Sequence, residues 1–145
     1  CKMIRDISEK VVNLLEDNIE TYLGQIDTEV SDNTPTPKSI TFNEAKNMYP
    51  EIFVDVNSLE YIYRTTGTKP NKLYEVSIII IIRTSEKNKI VGWCSNYIEA
   101  IYRIIEEKNI EGVINQYLER ADIVDLTSKD NMFTKSISLI MKIEE

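Results

Sequence analysis

The run from Leu73 to Arg83 is the most informative hydrophobic pattern in the chain. Its first half alternates apolar and polar residues, and its second half, residues 78–82, is five consecutive isoleucines. Because side chains alternate between the two faces of a strand, the alternating half predicts one solvated face and the continuous half predicts cover on both faces. One helical layer covers one face of a small domain. The pattern therefore predicts a strand whose second face packs against a further layer or a neighbouring subunit.

Two stretches have apolar residues at helical spacing. Residues 4–23 form an amphipathic pattern that Gly24 is expected to end. Residues 87–108 predict a second long helix. An alternative start for that helix is Asn96 as N-cap, which would leave Trp93 in a loop.

The segment between the first helix and the central strand contains two different predictions. Residues 25–39 are acidic and contain two prolines, so they predict a long, exposed and mobile loop. Residues 40–45 predict a short helix, because Thr41 and Glu44 have the spacing of a capping box and Pro50 follows soon.

Short β-rich segments account for the rest of the chain. Residues 51–56 and 59–64 predict two strands, with residues 65–71 as the tip of an antiparallel hairpin that leads into the isoleucine run. Residues 110–118 predict a short helix or an irregular connection.

The C-terminal end of the chain predicts a second hairpin. Residues 121–127 and 132–143 are its strands, and residues 128–131 are its turn. Alternation in the last strand predicts that four side chains face the core: Ile137, Leu139, Met141 and Ile143. Together these elements predict a single α+β domain over residues 1–145, a mainly antiparallel sheet with two long helices packed on one face.

Composition excludes several functional classes. The chain has 24 acidic and 17 basic residues, for a net charge of −7, which argues against a nucleic-acid surface. It contains no histidine and only four glycines, which removes the usual general base, the Ser–His triads and the glycine-rich phosphate loops. The isoleucine run is far shorter than the ~20 residues of a membrane helix, and residues 3–22 lack the pattern of a signal peptide. The sequence predicts a soluble protein made in the cytosol.

The remaining reactive side chains give no recognisable catalytic set. Cys1 and Cys94 do not form a C-x-x-C pair, so no zinc site is expected, and Cys94 is expected in the core. Carboxylates near Glu106 and Asp122 leave open a metal-dependent enzyme, although acidic residues at element ends are usually solvated. We expect no enzymatic activity, no cofactor and no bound metal.

The order of elements resembles the phage tail terminator, or tail completion, family. The resemblance lies in the first helix at residues 4–23, the central strand and second helix at residues 73–108, and the closing hairpin at residues 121–143. It implies a structural protein that forms a ring, typically hexameric. Such a ring caps the tail tube of a phage or of a headless contractile particle, stops its polymerisation and joins it to the head or collar.

The resemblance also implies partners and a location. The partners would be copies of the same chain, the tail tube, and sheath or head-connector proteins, in a particle assembled in the bacterial cytoplasm. The long acidic loop and the hairpin tip are candidate contacts with tube or neck proteins. Candidate interface residues on the central hairpin are Tyr61, Tyr63, Gly67, Asn71, Ile78, Ile79 and Ile80. A small monomeric or dimeric binding module, of the immunity or adaptor type, is the alternative.

Overall fold

A five-stranded sheet with two long helices on one face forms the framework of the protein. The computed structural model describes residues 2–42, 44–63, 69–126 and 131–145. In chain order the elements are α1 (Lys2–Val30), β1 (Ser39–Phe42), β2 (Glu51–Ile62), β3 (Asn71–Thr84), α2 (Lys87–Glu107), β4 (Asn115–Leu126) and β5 (Phe133–Glu144). The strand order is β1-β2-β3-β5-β4. The pair β1–β2 is parallel and the others are antiparallel, so the predicted α+β class is confirmed.

The pleat of β3 divides the isoleucine run between the two faces of the sheet. Ile78, Ile80 and Ile82 point to the helices and are fully buried, whereas Ile79 and Ile81 point away and are partly exposed. The same face of β5 carries the four predicted core residues, all of them fully buried. The core therefore lies between the helices and one face of β3 and β5.

The first helix is longer than predicted, because Gly24 does not end it. It continues to Val30, and Ile26 extends its apolar stripe by one position beyond Leu23. Both side chains are almost fully buried. Burying an isoleucine stabilises by about 1.5–3 kcal/mol, which outweighs the ~1 kcal/mol that a helical glycine costs relative to alanine.

Residues 31–38, which connect α1 to β1, are held by polar side chains. The Asp27 carboxylate accepts hydrogen bonds from the Thr34 amide (3.1 Å) and hydroxyl (2.6 Å). The Asn96 side-chain amide, in the middle of α2, donates to Asp32 Oδ2 (2.9 Å) and Thr34 Oγ1 (2.7 Å). This network is nearly closed to solvent, since Thr34 and Asn96 are both buried.

The prediction of an exposed loop over residues 25–39 is therefore corrected for residues 25–30, which are helical, and for Thr34, which is buried, while eight of the fifteen residues are exposed as predicted. The Tyr97 hydroxyl adds a hydrogen bond of 2.6 Å to the Pro35 carbonyl oxygen. The predicted mobility stays a prediction. Burial raises the pKa of Tyr97 well above its ordinary value. The composition of the segment indicated solvent exposure, but its polar side chains bind partners on α2 that are about 60 residues away in the chain.

We expect the substitution Asn96→Ala to loosen this connection. The substitution removes the side-chain N–H groups that donate to the Asp32 carboxylate and to the Thr34 hydroxyl. Leaving these two acceptors unpaired should lower the free energy of unfolding by about 1–3 kcal/mol. Hydrogen exchange of the amides in residues 31–38 should accelerate. The matched control is Asn13→Ala, an exposed asparagine of α1. Equal exchange in the Asn96 variant and the parent would contradict the anchoring role.

The predicted short helix at residues 40–45 is wrong. Ser39–Phe42 form β1, which pairs in parallel with residues 51–54 of β2. The Lys38 amide donates to the Pro50 carbonyl oxygen (2.7 Å), and the Thr41 hydroxyl donates to the Glu44 carbonyl oxygen. The backbone pairing with β2, a long-range contact, decides against the local capping signal.

The two strands predicted at residues 51–56 and 59–64 are one strand, β2, with a bulge between Val56 and Ser58. The extra residue is Asn57, whose side-chain amide donates to Ser77 Oγ (2.6 Å) and Glu75 Oε2 (3.2 Å) on β3. The antiparallel hairpin with β3 is confirmed. Of the predicted hairpin tip, residues 65–68 lie outside the described residues.

The second helix begins at Lys87, which confirms the earlier start and places Trp93 and Asn96 inside it. β4 begins at Asn115, six residues before the prediction. The preceding connection is irregular, as one of the two predicted alternatives has it, and the Gln116 side chain binds its backbone. It donates to the Ile105 carbonyl oxygen (2.9 Å) and accepts from the Ile110 amide (3.1 Å). Residues 127–130, which include most of the predicted turn, lie outside the described residues.

Candidate functional site

The sheet face that points away from the helices is covered by neither of them. We call it the open face. The pairing register arranges its side chains in rows across β2, β3, β5 and β4. Three consecutive rows are Glu51–Ile81–Ser136–Val124, Phe53–Ile79–Ser138–Asp122 and Asp55–Ser77–Ile140–Arg120.

The centre of the open face is apolar. Phe53 lies directly opposite Ile79, and both side chains are partly exposed, as is Ile81. Ile140 on β5 is nearly buried by its neighbours, and the serines between these residues are small. A partner can therefore approach the backbone closely over the middle of the sheet.

An ion pair borders this apolar centre. Lys142 Nζ lies 3.0 Å from Glu75 Oε1 across β3 and β5, and both side chains are largely covered. The hydrogen bond from Lys142, together with one from Asn57, holds the pKa of Glu75 below its ordinary value. The pKa of Lys142 is raised in return, mainly by its hydrogen bond to Glu75.

This pair should contribute stability that depends on pH. Because the Glu75 pKa is lower in the folded state, the contribution is fully present above the carboxyl's unfolded pKa and is lost as pH falls through its folded pKa. We expect Glu75→Gln to cost about 0.2–1 kcal/mol at pH 7 and nothing in strong acid. Denaturant unfolding of parent and variant from pH 7 to pH 2 measures the difference. A stability difference between parent and variant that persists in strong acid would contradict the ion pair. The control is Glu9→Gln, which removes the carboxylate of the exposed ion pair with Arg5 on α1.

The edge strand β4 is the second unusual feature of this surface. It pairs with β5 on one side, and no described strand pairs with its other side. Four large apolar residues on it are exposed, Tyr117, Ile123, Val124 and Leu126, with Val124 the most open at 54%. A twelve-residue edge strand with exposed apolar side chains is a template for pairing with another chain. The opposite edge, β1, has only four residues.

The structure separates the predicted interface residues of the isoleucine run. Ile78 and Ile80 are fully buried under the helices, so they are core residues and are corrected as surface candidates. Ile79 is on the open face. Sequence alone could not tell which alternate set faces the helices, because all five residues are identical.

The candidates near the hairpin tip lie apart from the apolar centre. Tyr61 (53% exposed) pairs with Lys72 and shares the helix side of the sheet with Tyr74, because the β2 bulge shifts the alternation. Tyr63 is 70% exposed. Asn71, the first residue of β3, donates to Glu144 Oε2 (2.9 Å), and Gly67 lies outside the described residues.

Sequence reasoning missed several residues of this surface. Phe53, Ile81 and the exposed side of β4 were not among the candidates. Two signals in the sequence did indicate apolar side chains on the second face: the continuous isoleucine run, and Ile140, which alternates with the four core residues of the last strand. Nothing in the sequence of β4 indicates that its apolar side chains are exposed, because their spacing is that of a strand with one buried face.

A cavity of about 460 Å³ opens at one end of the sheet, and we call it the corner pocket. Six residues line it: Lys38, Asn47, Met48, Tyr49, Arg83 and Met132. The Arg83 guanidinium lies over the Tyr49 ring, 5.9 Å from its centre. Three buried polar atoms on neighbouring strand positions have no hydrogen-bond partner: Ser39 Oγ, Glu51 Oε1 and Arg83 Nε. The other Glu51 oxygen accepts from the Lys46 (2.9 Å) and Asn47 (3.0 Å) amides, so the connection between β1 and β2 folds over this corner.

Reactive side chains elsewhere do not converge. Within the described residues, no three histidine, cysteine, aspartate or glutamate side chains are placed to share a metal ion. Cys94 is fully buried as expected, and burial raises the pKa of its thiol to about 11. The thiol is therefore protonated at neutral pH. Neither described helix has the length and hydropathy needed to cross a bilayer.

The comparisons with known proteins give remote structural likeness and no sequence match. No protein-family model matches the chain, and no curated protein matches it. A solved structure described as the virion of a native gene transfer agent particle contains a chain that is similar at a TM-score of 0.44 and 8% sequence identity. The similarity covers 90% of this chain and 98% of that one. We draw no functional conclusion from a likeness of this size.

Proposed function

We propose that this protein is a structural subunit of a phage-like particle. Copies of it form a closed ring that caps the end of a tail tube, stops its polymerisation and joins it to the head or collar. The protein acts by binding and performs no chemical step. The observation that carries the proposal is the open face together with the exposed strand β4.

The open face has the composition of a contact surface. Its centre holds Phe53, Ile79 and Ile81, and apolar side chains at the centre with polar ones around them are typical of protein interfaces. In a monomer these side chains stay partly in water. A subunit that buries them against a partner gains about 25 cal/mol for each square ångström of apolar area removed from water.

The shape of the sheet suits a ring. A closed ring requires two different patches on each subunit, so that one patch meets the other on the next copy. The sheet has a long exposed edge at β4 and a different corner near the short edge β1. Contacts between unlike edges repeat in one direction, whereas contact between two identical edges would stop at a dimer.

The order of elements supports the particular kind of ring. The first helix, the central hairpin, the second helix and the closing hairpin follow one another as they do in the tail terminators that the sequence resembles. The corrections at β1 and β4 add pairing at the two sheet edges and leave this order unchanged.

The test is the mass of the protein in solution, alone and with tail tubes. We expect a closed oligomer of fixed size by native mass spectrometry, or an oligomer that forms on tubes and halts their growth. Ile79→Lys should leave a folded subunit that no longer assembles or caps tubes. Arg5→Glu on α1 is the control for an unrelated charge change. A parent protein that stays monomeric and never binds tubes would overturn the proposal in favour of a small binding module.

A further inference from the structure

We infer that the corner pocket of one subunit receives the β4 edge of a second copy, with Asp122 paired to Arg83 and Lys38. This inference rests on the proposed ring and names the two surfaces that join its subunits. It is carried by two cations that make no ion pair with the described residues and by the match between the two surfaces.

Arg83 makes no ion pair with the residues that the structure describes. Apart from the Tyr49 ring, it has no ion pair or hydrogen bond with the described residues, and its buried Nε is unsatisfied. Lys38 lines the same pocket and also lacks an ion pair with the described residues. Glu51 contributes one carboxylate to this corner, so the two cations Arg83 and Lys38 outnumber it, and a concave site with an excess of positive charge favours a further carboxylate ligand.

The walls of the corner pocket favour a carboxylate that is carried beside apolar side chains. Tyr49 offers an aromatic face, and the methionines Met48 and Met132 are flexible apolar surfaces that adapt to different shapes. Met48 is largely exposed. A free anion would leave these apolar walls in water, whereas a protein segment would cover them.

The open-face side of β4 presents the complementary set. Asp122, Val124 and Leu126 occupy successive positions on that side, so one carboxylate is followed by two exposed apolar residues. Asp122 has an ion pair with Arg120 at 3.2 Å, but both side chains are more than half exposed. Such surface pairs contribute little, so the carboxylate can exchange this partner for a planar guanidinium in a sheltered pocket.

The positions of the two surfaces decide that the occupant is a second copy. The corner pocket joins residues next to β1 and β2, the end of β3 and Met132, which lies just before β5. Within the subunit neither Asp122 nor Val124 lines this pocket, and Asp122 pairs with Arg120 on its own strand. A second copy can place its β4 edge there, and each copy then offers its own free pocket or free edge to the next, as a ring requires.

Charge reversal with mixing tests this arrangement. Arg83→Glu or Asp122→Arg alone should weaken self-association by about 100-fold, because each places like charges together. An equimolar mixture of the two variants should assemble again, since the altered pocket of one accepts the altered edge of the other, and the unaltered surfaces also match. Native mass spectrometry should show the two variants alternating in equal number.

Two further variants separate a loss of association from a loss of folding. Lys38→Glu changes an exposed residue of the corner pocket and should weaken association without affecting the melting temperature. Arg5→Glu is the matched control and should assemble like the parent. If the parent forms rings and the reversed variants also do, or if the mixture does not recover, the inference fails while the ring proposal stands. If the parent never assembles, even on tail tubes, both fail.

Discussion

Replacing Ile80 by aspartate should prevent folding, whereas the same change at the neighbouring Ile79 should leave a folded subunit. Ile80 is fully buried between the sheet and the helices, and a carboxylate there has no partner. Burying an unpaired charge costs several kcal/mol or more, a large part of the ~5–15 kcal/mol by which a domain is stable. Ile79 points to the open face, where an aspartate remains hydrated and costs about 1–2 kcal/mol.

Circular dichroism and thermal melting of the two variants measure this difference. The pair is its own control, because the residue type, the strand and the introduced charge are the same and only the face differs. A folded Ile80→Asp protein, or loss of folding in both variants, would contradict the assignment of faces. A folded Ile79 variant then allows loss of assembly to be measured separately from loss of folding.

Replacing Leu139 by alanine should lower the free energy of unfolding by about 2–5 kcal/mol. Leu139 lies opposite Ile78 in the middle of the core and is fully buried, so its removal leaves a cavity that the surrounding sheet cannot close. A stability change of 1 kcal/mol shifts the melting temperature of a chain of this length by about 3 °C. The variant should therefore melt roughly 6–15 °C below the parent.

The matched control is Leu126→Ala, which removes the same atoms from an exposed position on β4. Its effect on the isolated subunit should stay within about 1 kcal/mol, and equilibrium unfolding in denaturant measures both changes on one scale. Equal effects of the two substitutions would show that Leu139 is not in a packed core.

The sequence by itself determined the elements whose own residues decide their structure. The alternation of β5 predicted its core side, because a one-residue shift would have exposed every apolar side chain on it. The apolar spacing of α2 predicted a long helix ending near Lys108, whereas its start was left open between Lys87 and Asn96, and the structure places it at Lys87. The helix continues through Gly92 because burial of one face outweighs one unfavourable residue. The antiparallel hairpin of β2 and β3 followed from two β-rich runs close together in the chain.

Tertiary contacts alone decided the elements whose stability comes from distant partners. β1 forms because its backbone pairs with β2, although the local sequence indicates a helix start. Residues 31–38 are anchored because the Asn96 side chain on α2 donates hydrogen bonds to Asp32 and Thr34. The end of α1 lies at Val30 because Ile26 finds a place in the core. None of these partners is adjacent in sequence, so no local pattern contains them.

For the open face and the corner pocket, too, one part was predictable from the sequence and another part was decided by the tertiary structure. Five consecutive isoleucines predicted that apolar side chains would lie on both faces of one strand, because the pleat has a period of two residues. Which of them are covered depended on the side where the helices pack, and that is a property of the whole fold. The corner pocket joins four segments between Lys38 and Met132, and its unpaired Arg83 can be recognised only when all four are in place. The sequence determined that this chain has more apolar strand surface than one helix layer covers, and the tertiary structure decided where that surface lies.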